Sequence, residues 1–96
     1  MITPPLDIAP RHWKIVKDIL FQYPFHFYAF GSRAKKTAKK FSDLDLYYKD
    51  SIPNDVIHKL VEAFEESNLP FKVELLNWHQ CDVDFQKEIE KNSVLL

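Results

Sequence analysis

The sequence predicts an α+β fold, a small mixed β-sheet with helices packed mainly on one face. Three observations carry that expectation. Trp13, Val16, Leu20 and Tyr23, and later Ile57, Leu60, Val61 and Phe64, recur at helical spacing. Three short stretches, "FHFYAF", "SDLDLYYK" and "FKVELLNW", have the aromatic, alternating or β-branched character of strands. A length of 96 residues suits one domain, spanning 1–96, with a modest core.

The elements follow in order. Residues 1 to 9 form a lead-in, and Pro10 suits a first helical turn, where its missing N–H costs nothing. The helix it opens runs toward Tyr23 and is ended by Pro24. "FHFYAF" then reads as a strand that stops at Gly31, the chain's only glycine. "SRAKKTAKKF" is polar and basic, a turn with one helical turn at most. "SDLDLYYK" alternates acid and leucine, as a strand with one solvated face does. Pro53 and Asn54 open a second long helix, which Asn68 and Pro70 stop. "FKVELLNW" is a third strand, and Asp82 can cap a last helix carrying Phe85 and Ile89. The terminal "SVLL" reads as an edge strand or a docking segment.

Composition excludes several classes. The net charge of -1 supplies no overall field for DNA or RNA, so any attraction for phosphate must be local. The single cysteine, Cys81, can form neither an internal disulfide nor a cysteine zinc site, which fits a reducing cytosol. The N-terminal residues lack the basic and apolar regions of a signal peptide, and no apolar run approaches a bilayer span. The four histidines share no metal-ligand spacing and read as structural or surface residues.

The chemistry-bearing stretch is "FGSRAKKTAKKFSDLDLYYKD". On a strand, Asp43 and Asp45 share a face about 6.6 Å apart, with Leu44 and Leu46 turned to the core. Paired carboxylates of this kind suit a divalent cation that also carries water and substrate phosphates. Glu74 is an acid inside an apolar strand, and it can join Asp43 and Asp45 if the two strands pair. The competing reading gives Glu74 to Lys72 as an ion pair. Gly31 lets backbone approach a ligand, Ser32 offers a hydroxyl, and Arg33, Lys35, Lys36, Lys39 and Lys40 follow. The pattern is not a Walker A loop.

At these residues the chain resembles the nucleotidyltransferase superfamily, and within it the minimal nucleotidyltransferases. The family pattern is an apolar strand into Gly-Ser, a spacer, Asp-x-Asp on a strand, and an acid on a later strand. "FGSRAKKTAKKFSDLDL" and "FKVELLNW" follow it. The resemblance implies the polymerase-beta-like palm fold, Mg2+, and a nucleoside triphosphate, usually ATP. It implies that Gly31 and Ser32 contact the triphosphate, with Arg33 and Lys40 as nearby cations. Asp43 and Asp45 would ligate metal, with Glu74 as third carboxylate. Glu74 stands where the family usually has aspartate, and Lys36 where many relatives carry a second glycine. Relatives are commonly antitoxins paired with a small helical HEPN protein, so the resemblance implies such a partner. Three functions follow: transfer of AMP to a hydroxyl, neutralisation of the partner by binding alone, and, disfavoured by net charge, nucleic-acid binding.

Overall fold

A computed structural model of the chain describes residues 6–39 and 41–96. Its elements are α1 (Pro10–Leu20), β1 (Tyr28–Phe30), α2 (Ser32–Lys35), β2 (Leu44–Tyr48), α3 (Asn54–Glu66), β3 (Val73–Asn77), a 3-10 turn (Trp78–Gln80), α4 (Val83–Glu90) and β4 (Val94–Leu95). The sheet order is β3-β2-β1-β4. Strand β1 runs antiparallel to both β2 and β4, while β2 and β3 are parallel. Parallel neighbours need a crossover, and α3 supplies it.

The α+β expectation holds. Leu44, Leu46 and Tyr48 send alternate side chains of β2 into a core with Val16, Ile19 and Leu20 of α1 and Leu60 and Phe64 of α3. Leu44 and Leu46 are fully buried. The opposite face of β2 carries Asp45 and Tyr47. Helix α4 reaches this second face, where its Phe85 meets Phe30 edge-on at 6.2 Å. Tyr47 is buried there, stacked on Tyr28, and its hydroxyl donates to Ser93 Oγ at 2.9 Å. Lys49 Nζ lies over the Trp78 ring at 4.6 Å and pairs with Glu90 at 2.7 Å. Trp78 therefore belongs to this second face and not to the helical side. Among the described residues, no helix is long and apolar enough to cross a membrane.

Two boundaries differ from expectation. Helix α1 ends at Leu20, short of Tyr23, with Phe21 as its C-cap. Strand β1 is only three residues long. The N–H of His26 turns to the Asp50 carboxylate at 2.7 Å and joins no ladder. The cap expected at Asp82 is present: its carboxylate accepts from the Phe85 N–H at 2.9 Å. "SVLL" supplies the edge strand β4, extended by the Leu96 N–H to the Phe27 carbonyl at 2.9 Å.

Arg33 is the larger correction. Its place in the basic run suggests a triphosphate contact, yet it is buried, with 5% of its surface exposed. Nε donates to the Ser42 carbonyl at 2.9 Å and Nη1 to the Asp7 carbonyl at 2.7 Å. The guanidinium lies 4.0 Å from the Phe71 ring centroid. Burial lowers its pKa, with Asp7 and Asp43 opposing that shift. One planar fork thus ties the lead-in, α2, the loop before β2 and the approach to β3 together. Lysine keeps the charge but lacks the fork and the ring stacking. Arg33→Lys is expected to destabilise the fold by about 1–3 kcal/mol, read by urea denaturation.

Candidate active site

The site begins with a register. Asp45 of β2 stands opposite Glu74 of β3 in the parallel ladder, so both acids lie on one face. Leu44 and Leu46 flank Asp45 and are anchored in the core, which fixes its direction. A one-residue slip would drive the acid into that core. Glu74 is half-buried and pairs with Lys72 at 3.1 Å, so the lysine partner weighed from sequence is real. Asp43 is exposed and lies one residue before β2 begins, so the strand-borne pair expected from sequence holds for Asp45 alone. Asp43 still acts on the site electrostatically. Burial raises the Asp45 pKa above the ordinary carboxylate value, and the charges of Glu74 and Asp43 raise it further.

Gly31 closes the site from β1. Its φ of 77° and ψ of -156° lie in a region open essentially to glycine alone. A Cβ there would sit 2.9 Å from Asp45 Oδ2. The turn and the acid are therefore in direct apposition, and the chain's only glycine is what permits it. Ser32 starts α2 immediately beyond, and its carbonyl accepts from the Thr37 N–H at 2.9 Å. Lys36 ends that short helix with φ 60°, the left-handed conformation that glycine adopts without cost. Lys36 thus has a glycine-like backbone.

The structure brings Gly31, Asp45 and Glu74 together, with Ser32 adjacent and Asp43 at the edge. It moves Arg33 out of the site. Lys40 lies outside the described residues. Lys35, Lys36 and Lys39 are exposed. Among the described residues, no three His, Cys, Asp or Glu side chains form a ready-made metal group. The donors at hand are all carboxylates, one of them desolvated and pressed by two like charges. That donor chemistry fits Mg2+, which takes one or two carboxylates plus water and phosphate and seldom a full protein cage. Phe30 and Phe85 beside Gly31 were not read as site residues. The visible signal was Phe30 next to the glycine, and its register partner is Asp45.

This arrangement defines a nucleotidyl-transfer type of palm, and residues 15–96 match the family described as "Polymerase beta, Nucleotidyltransferase". The chain belongs to that family. It is 44% identical, over 95% of its own length and 83% of the relative's, to the Haemophilus influenzae protein named "Probable protein adenylyltransferase MntA". The fold is also similar to a chain in a crystal structure of a toxin-antitoxin with AMP-PNP. That match has a TM-score of 0.63 and 20% identity, and covers 85% of this chain and 69% of the other.

The two positive-φ positions are expected to respond oppositely. Gly31→Ala meets both backbone strain and Asp45, and should destabilise by about 1–3 kcal/mol. Lys36→Gly relieves left-handed strain and should stabilise by up to about 1 kcal/mol. Chemical denaturation of both variants measures each change.

Proposed function

We infer that this protein transfers AMP from ATP to a hydroxyl of a partner protein, and that it is the antitoxin of a HEPN-type toxin in a cytoplasmic toxin-antitoxin pair. The observation that carries the reading is the apposition of Gly31 with Asp45, itself opposite Glu74. It supports the reading because three residues distant in sequence meet there. The name of the Haemophilus influenzae relative supports adenylyl transfer to protein. The toxin-antitoxin structure with a similar fold supports a protein partner.

In this reading Gly31 and Ser32 hold the triphosphate, with glycine allowing the backbone close approach. Asp43, Asp45 and Glu74 would hold Mg2+, which supplies neutralisation of phosphate charge and a more acidic acceptor hydroxyl. The acceptor oxygen attacks the α-phosphorus, and the bond from that phosphorus to the bridging oxygen breaks. Pyrophosphate leaves, and the hydroxyl proton passes to the carboxylate set. Asp45 is oriented throughout by Leu44 and Leu46, so the acid holds position without help from solvent.

Incubation with α-labelled ATP, Mg2+ and the HEPN-type partner tests this. Label should appear on the partner and fall on the order of a hundredfold or more with Asp45→Asn, a loss typical of damaged metal sites. That variant removes a desolvated like charge, so its fold should be at least as stable as the parent without metal. Undiminished transfer by Asp45→Asn would contradict the reading. Neutralisation by binding alone is the second reading, favoured by the Lys72 pair that already satisfies Glu74. Full neutralisation by an Asp43→Asn, Asp45→Asn double variant would support it.

A further inference from the structure

A cleft of about 140 Å³ opens beside Gly31, between the α2 side of the site and helix α4. Phe30 and Lys35 line it on the Gly31 side, and Phe85, Glu88 and Asn92 line it from α4 and its end. Pockets for whole ligands run to about 300 Å³ and above, so this one takes only part of a molecule. Its shape is set by two rings. Phe30 and Phe85 meet edge-to-face, 6.2 Å between centroids and 86° between planes. Gly31 lines the cleft and also faces Asp45, and Phe30 pairs in register with Asp45, so the cleft adjoins the carboxylate site through Gly31 although none of its three acids lines it. On α4, Ile89 is buried with 4% exposure, whereas Phe85 keeps 39% of its surface free. An aromatic left half-open beside a phosphate-handling turn offers a flat apolar face.

We propose that this cleft receives the base of the nucleoside triphosphate, stacked on Phe85 and read at its edge by Asn92 and Glu88. The proposal rests on the nucleotidyl-transfer reading and adds the base subsite to it. Stacking on an aromatic ring accepts any base, because each has a π-face. Selection must come from the polar groups. The Asn92 amide both donates and accepts, and the Glu88 carboxylate, in an exposed 3.4 Å pair with Lys91 that a base would share, accepts only. This set suits a base with an exocyclic amine beside a ring acceptor, as in adenine. Hypoxanthine, which carries a carbonyl oxygen at that position, would face the carboxylate with an acceptor. Lys35 lies at the Gly31 end of the cleft, which suits the phosphate side of the same ligand.

Calorimetric titration in Mg2+ tests this with three probes: ATP, ITP and inorganic tripolyphosphate. The parent should bind ATP more tightly than either of the others. Phe85→Ala should weaken ATP about tenfold or more while leaving tripolyphosphate unchanged, which also reports an intact fold. Phe85→Trp should retain ATP affinity, and Asn92→Ala should bring ATP down toward ITP. ATP binding by Phe85→Ala equal to the parent's would overturn the proposal, including the case in which that variant loses only a protein partner. A parent that binds ATP and tripolyphosphate equally would also overturn it, leaving the triphosphate site standing. A parent that binds neither would overturn the proposal and the transfer reading together.

Discussion

Like charges set opposite each other on neighbouring strands weaken a sheet, and Asp45 and Glu74 form such a pair. Much of the domain is arranged around holding it. Fully buried leucines on either side of Asp45 fix the register, so the acid cannot turn away without exposing the core. Lys72, the residue just before β3, takes up the charge of Glu74. Among the described residues Asp45 forms no ion pair: its carboxylate is desolvated, pressed by two neighbouring acids, and faced by a glycine that adds no side chain. An acid desolvated among like charges costs stability.

The scaffold that holds the pair is built from a few long-range ties. Helix α3 makes the crossover that lets β2 and β3 run parallel, which brings the acid of one strand level with the acid of the next. Arg33 joins four segments that would otherwise meet only at the rim of the sheet. It fixes the start of α2, and therefore the turn at Gly31, relative to β2. A buried cation in a structural clamp thus has an indirect part in the geometry of the site.

The strands and the second long helix were legible in the sequence because each rests on local pattern. Alternation of acid and leucine marks a strand with two unlike faces, and an acid inside "KVELL" is conspicuous for the same reason. Arg33 was misread because five cations in a row look alike, and only the tertiary fold selects the one that turns inward. Lys36 was visible as a departure from the family pattern, but its left-handed backbone was not. The second face of the sheet was the least legible part. Trp78, Tyr47 and Phe85 are separated in sequence, and no local spacing brings them together. Their shared position depends on where the chain turns after β3. The cleft beside Gly31 arises from that turn as well.

The central claim is that the apposed glycine and carboxylates form a cation-dependent nucleotide site. Its most direct test is calorimetric titration of the unmodified protein with ATP, once in Mg2+ and once in EDTA. Saturable binding in Mg2+ that disappears in EDTA is the expected result. Equal binding in both, or none in either, would contradict it.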